Sequence, residues 1–146
     1  MQSVIEDFKQ TVSESYDRLA RVTEDASAEP ITPEKWSRRE VIGHLIDSAS
    51  NNHQRFVRAQ LDGPIALPGY AQEAWVERQG YKDQSWAELI SFWKSYNLHL
   101  LHVISRIPEN KLDVLCVIGN DEPVTLGFVV EDYVRHLKHH LKQILG

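Results

Sequence analysis

Four stretches of this chain repeat apolar residues at three- and four-residue steps, so the fold must cover four helical stripes at once. The first stripe, from about Ser3 to Val22, carries Val4, Ile5, Phe8, Val12, Leu19 and Val22, and Pro30 and Pro33 follow it. The second opens at Ser37-Arg38-Arg39-Glu40, where the serine caps the Glu40 amide and the glutamate reaches back, forming a capping box. It continues to about Leu61 and is stopped by Asp62-Gly63-Pro64. Ser85-Trp86-Ala87-Glu88 has the same capping-box pattern and opens a third helix with the apolar face Leu89, Phe92, Trp93, Tyr96, Leu100, Val103, Ile104 and Ile107, closed by Pro108. Thr125 caps the fourth, whose stripe is Val130, Tyr133, Leu137, Leu141 and Ile144.

The simplest way to bury four stripes together is an all-α four-helix bundle with long connections after the second and third helices. At 146 residues the chain has the size of one domain, 1–146, and can bury a core without disulfides or a structural metal. Within the connection after the second helix, Gln72 to Gln79 is predicted to form a short helix. Residues Leu112 to Ile118 are β-branched and apolar, and Gly119-Asn120-Asp121-Glu122-Pro123 turns the chain after them, so a short hairpin is expected there.

Composition narrows the function. The net charge of −5 works against a surface that tracks phosphates, so no nucleic-acid partner is expected. The single cysteine, Cys116, has no internal disulfide partner, and the first residues carry acids and a lysine where an export signal carries an apolar run. No stretch is apolar over the length a bilayer requires. A cytoplasmic protein without a membrane partner, acting on a small molecule, is the expectation.

Seven histidines are the unusual feature, and a helix turns by roughly 100° per residue, which places each ring relative to its own stripe. On the last helix His140 lies roughly 60° and His136 roughly 100° from the line through Leu137, on the same flank and one turn apart. His139 falls on the water side. On the second helix His44, Ser48, Asn51 and Arg55 form a polar band beside Val41, Leu45 and Phe56, which suits the border of a cleft. His53 lies on the opposite flank, His102 points outward and His99 is at the edge of its stripe, so none of these three is expected to meet another histidine.

Histidines at i and i+4 are rooted about 5–6 Å apart and can share one ion, and a third imidazole from another helix completes three ligands with a position left open. In a zincin the residue after the first histidine is a glutamate that serves as base; here it is Leu137. No nucleophile elbow, phosphate loop or dinucleotide fingerprint offers a rival chemistry, and Cys116 has no local support as a nucleophile.

The segment from Trp36 through His44, Asp47 and Ser48 to Arg55-Phe56, the Pro68-Gly69-Tyr70 and Ala74-Trp75 connection, and Thr125-Leu126 leading to His136 and His140 resemble, in order and spacing, the DinB/YfiT-like superfamily. The resemblance implies a four-helix bundle in which His44, His136 and His140 bind one divalent ion, with nickel or zinc the expected metals. It also implies a metal-dependent hydrolase, or a transferase that places a low-molecular-weight thiol such as bacillithiol on an electrophile; relatives isomerise maleylpyruvate with mycothiol. A homodimer is a further expectation from the family. Arg135 and Gln143 stand where relatives carry aromatics or histidines.

Around the histidines, Asp47 is one turn beyond His44, where it either fixes that imidazole's tautomer or pairs with Arg55 or Arg58 on the surface. Arg55 and Arg58 suit an anionic thiol, and Ser48, Asn51, Tyr70 and Trp75 are the expected substrate contacts, with Trp36 as a further wall of the cleft. Tyr70, Trp75 and Trp36 have the alternative of serving as core or loop anchors. No carboxylate base stands beside the histidines in sequence, which leaves open a metal-binding or stress-linked bundle without turnover.

Overall fold

The computed structural model describes residues 1–146. Four long helices, α1 (Gln2–Leu19), α3 (Arg38–Asp62), α5 (Trp86–Ser105) and α6 (Leu126–Leu145), carry the four stripes. Two short helices, α2 (Glu24–Ala28) and α4 (Gln72–Gln79), and the strands β1 (Ile65–Leu67), β2 (Leu115–Ile118) and β3 (Val124–Thr125) lie in the connections. No helix is long and apolar enough to cross a membrane.

Both α3 and α1 pack against α5 and α6, so α1 and α3, consecutive long helices, stand on a diagonal of the bundle. Their connection has to cross one end of the bundle, which is why the first helix stops at Leu19 rather than at Val22. Thr23 then accepts the Ala26 amide and starts α2. The connections after α3 and α5 are long, as the sequence implies, and they meet: β1 runs parallel to β2, with Ile65 opposite Cys116 and Leu67 opposite Ile118, while β3 pairs antiparallel on the other side of β2. The expected hairpin is thus present but carries a third strand from another part of the chain, and that pairing brings Tyr70 near Ile118 and Asp121.

Inside the bundle, Phe8, Val12 and Leu19 meet Leu45 and Phe56, Leu89 and Trp93, and Leu137 and Leu141. Tyr133 stands between the diagonal pair: the Phe8 and Phe56 rings meet it edge-on with centroids 5.8 and 5.7 Å away. Its hydroxyl donates to Asn97 Oδ1, and Asn97 Nδ2 donates to the Trp93 carbonyl, so both buried polar side chains are paired, while the Trp93 indole N–H is left without a partner. Phe92, expected on the buried face of α5, is 51% exposed because it sits on the flank of the stripe set by Leu89, Trp93, Leu100 and Ile104.

Helix starts differ in how they are completed. Ser37 and Glu40 form the expected reciprocal capping box at α3. At α5 Ser85 accepts the Glu88 amide, but Glu88 does not reach back. Glu24 of α2 takes its place, accepting from the amides of Trp86 (2.9 Å) and Ala87 (3.2 Å) and pairing with Arg39 at 3.0 Å. Those two amides hold the Glu24 carboxyl below its ordinary range.

Candidate metal centre

His44 reaches the site from the second turn of α3, and His136 and His140 from successive turns near the end of α6. The Nε2 atoms of His44 and His136 are 3.2 Å apart, and those of His136 and His140 3.1 Å. One ligand atom from each of the three residues lies within 4.8 Å of the others, with no cysteine or carboxylate in the group. Imidazole nitrogens at about 2.0–2.1 Å from a tetrahedral ion are about 3.3 Å from each other, so the spacing fits one ion facing three nitrogens. The residues also fit chemically. Burial, then the neighbouring His140 and His136, lowers His44 to about 3, and burial followed by His140 lowers His136 to about 4. Burial lowers His140 too. All three rings are therefore neutral at physiological pH with lone pairs free to ligate.

An outer partner fixes one of these rings. His140 Nδ1 lies 2.7 Å from Gln143 Oε1; when Nδ1 carries the proton it donates to that oxygen and leaves Nε2 as the ligating atom. Gln143 is the partner of His140 that reasoning on the histidines alone misses, although its place three residues on, over the same helix face, is the available signal. Asp47 does not play the corresponding part for His44. Its Oδ1 accepts from Tyr81 Oη at 2.7 Å and Gln79 Nε2 at 2.6 Å, its Oδ2 has no partner, and neither does His44 Nδ1. Nor does Asp47 pair with Arg55 or Arg58: it is buried, and burial raises its carboxyl above the ordinary range.

The other expected contacts separate into two groups. Ser48, Arg55 and Tyr70 line a cavity of about 320 Å³ that also exposes His136, together with Asn52, which the sequence reading did not single out. Asn51 instead donates to the Asp47 carbonyl of its own helix, and Trp75 packs on Tyr70, centroids 5.1 Å apart, as a loop anchor. Trp36 covers His44 at 5.1 Å and lines a second cavity of about 500 Å³ with Val41, Glu73, His140 and Gln143. The histidine centre thus stands between two cavities. His139 is exposed, as the helical angle requires, but His53 and His99 meet edge-on with centroids 5.3 Å apart, contrary to expectation. The angle gives the direction of each ring and not the neighbouring helix, and α5 packs on the flank of α3 that carries His53.

The burial of these rings makes the metal-free protein sensitive to acid. Imidazoles held neutral in the fold but free to protonate in the unfolded chain contribute stability that is complete above the ordinary value near 6.5 and lost as pH falls toward 4 and then 3. Asp47, raised by burial, has the opposite slope in the carboxylate range. Denaturant unfolding of metal-free protein is expected to show a falling midpoint between pH 6.5 and 4, and a smaller fall in His44→Gln; a flat profile in the parent would contradict it.

Comparison with known proteins agrees with this geometry. A curated relative from Oceanobacillus iheyensis, “Putative metal-dependent hydrolase OB0413”, is 26% identical over 109 residues, which is 75% of this chain and 62% of that protein. The chain therefore spans less than two thirds of that relative's length. Among solved structures, YfiT from Bacillus subtilis, described as a probable metal-dependent hydrolase with an unusual four-helix bundle topology, superposes with a TM-score of 0.84 at 20% identity over 98% of this chain and 82% of its own. The mycothiol-dependent maleylpyruvate isomerase superposes with a TM-score of 0.80 at 14% identity over 99% of this chain and 60% of its own. The DinB superfamily model matches residues 7–144, nearly the whole bundle with all three histidines, and the chain belongs to the DinB superfamily.

Proposed function

We propose that this protein is a divalent-metal-dependent enzyme that activates a low-molecular-weight thiol for attack on a small electrophile. The observation that carries the reading is the convergence of three neutral Nε2 atoms, 3.1–3.2 Å apart along the chain of contacts, between two separate cavities. His44, His136 and His140 would hold the ion, zinc or nickel by the preference of imidazole ligands. When bound, such an ion supplies Lewis acidity that lowers the pKa of a coordinated thiol or water.

The chain's own residues supply position. Gln143 orients His140, Trp36 covers His44, and the cavities on either side of the centre have room for one organic reactant each, as a group transfer requires. In the transfer the thiol gives its proton to solvent, the sulfur forms a bond to carbon, and the leaving group departs with the bonding pair. Three imidazole ligands without a carboxylate suit an ion that ionises either a bound thiol or a bound water, so the pair of cavities, one for each organic reactant, is what favours the thiol. The mycothiol-dependent isomerase shares the fold, which supports bacillithiol or a similar thiol as co-substrate. A second reading, hydrolysis, is favoured by the names given to the relatives.

Zinc- and nickel-loaded protein, prepared without a histidine tag, separates the two readings. With bacillithiol and monochlorobimane, fluorescent adduct is expected to form faster than with the free ion at the same concentration, and to stop on chelation. Cleavage of p-nitrophenyl acetate without any thiol, and no adduct formation, would move the assignment to the hydrolase. Neither activity with either metal would overturn both.

A further inference from the structure

Three arginines of this protein are half-buried, and two of them make two or more bonds to other elements. Arg38 donates to the carbonyls of Ile144 and Ala26, and Arg39 to Glu24, Ser27 Oγ and the Lys82 carbonyl. Arg55 has one protein partner, Asn52 Oδ1 at 3.3 Å, and no carboxylate within 4 Å. A guanidinium offers five donors, and drawing it out of water without an anion to receive them costs stability. Burial lowers Arg55 from its ordinary value, in keeping with that cost.

The place of this cation is specific. Arg55 lies in the cavity that also exposes His136, with Ser48 and Tyr70 beside it. Tyr70 is raised by burial and by Asp47, so its hydroxyl stays protonated and able to donate. Two acids line the same cavity. Asp132 Oδ1 is taken by Arg135 at 2.7 Å, Asp121 is exposed, and neither comes within 4 Å of the guanidinium. Their charge disfavours two negative charges concentrated on one group, as in a phosphate monoester, and leaves room for one carboxylate group in the fork of the guanidinium.

We propose that Arg55, with Tyr70 and Ser48, forms a carboxylate-binding subsite beside the histidine centre, so that one reactant of the enzyme carries a carboxylate. The proposal rests on the reading that chemistry takes place at His44, His136 and His140, and it deepens that reading by naming a substrate class. The carboxylate occupies the fork of Arg55 and the reacting end of the molecule points to the His136 side of the centre.

The test uses succinate as probe and the neutral succinamide as control, titrated at fixed ionic strength into the full-length zinc-loaded protein and, in parallel, the metal-free protein, followed by amide and arginine Nε chemical shifts. Succinate is expected to bind saturably in both forms and succinamide in neither. Arg55→Gln is expected to weaken succinate roughly 10- to 100-fold, the value of hydrogen bonds to a charged group. Arg55→Lys should fall between, since a lysine keeps the charge but loses the fork, and this variant serves where the glutamine variant folds poorly. Arg58→Gln, exposed and paired only with Gln54, should match the parent. Succinate binding that survives Arg55→Gln, that succinamide equals, or that is absent from the metal-free protein would overturn the subsite. Zinc retention without any Arg55-dependent shift sinks this proposal and leaves the metal reading standing; succinate binding without zinc retention does the reverse.

Discussion

Replacing His136 by alanine is expected to abolish stoichiometric zinc or nickel binding while leaving the bundle folded. His136 is the middle histidine of the cluster: its Nε2 is 3.2 Å from that of His44 and 3.1 Å from that of His140, so its loss removes the nitrogen nearest to both others. Loss of an outer hydrogen-bond partner such as Gln143 is expected to weaken metal affinity roughly 10–100-fold, and loss of a ligand must exceed that. The ring is half-buried near the end of α6 and not among the large side chains of the core, so helix content should survive. Elemental analysis of protein purified without a histidine tag checks the stoichiometry, and competition with a chromogenic chelator gives the affinity. His139→Ala, exposed on the same helix, should keep the full equivalent. A full equivalent retained by His136→Ala, or none in the parent after reconstitution, would overturn the centre.

That the three clustered histidines are legible from the sequence follows from helix geometry. A single period sorts residues by face, and three histidines fell on flanks that could border one cleft, as the family resemblance also implied. A period does not say which helix lies beside which. The diagonal placement of α1 and α3, the parallel pairing of β1 with β2 and the meeting of His53 with His99 all depend on neighbours that only tertiary packing chooses. The same limit explains the two misplaced partners. Local spacing offered Glu88 to Ser85 and Asp47 to His44, whereas Glu24 arrives at the first from 61 residues away and Tyr81 captures the second from 34 away. Both displacements come from the long connections, whose backbone path carries no periodic signal.

The capture of Asp47 depends on a glycine, and Gly43→Ala is expected to be among the most disruptive single-methyl changes in the molecule. A Cβ built at Gly43 falls 2.1 Å from Tyr81 Cδ2 and 2.2 Å from Cγ, the root of the ring rather than its mobile end. Gly80, at φ +65 in the left-handed region, ends α4 and turns the chain so that Tyr81 enters against this bare stretch of α3. The ring is 6% exposed, and its hydroxyl donates to Asp47, so it cannot retreat without opening the core and leaving a buried carboxyl with Gln79 as its one side-chain donor. Alanine ordinarily favours a helix over glycine by roughly 0.5–1 kcal/mol, but overpacking costs typically 1–3 kcal/mol, so the net sign is destabilising. A double-mutant cycle isolates the cause. In a Tyr81→Ala background the added methyl has room, and the Gly43→Ala change should become neutral or stabilising; in Tyr81→Phe, which keeps the ring and loses only the hydroxyl, the penalty should persist. Urea unfolding of the six proteins measures the coupling. Equal effects of Gly43→Ala in the presence and absence of the Tyr81 ring would show that the close approach of this ring to α3 does not hold Asp47 in place beside the histidine centre.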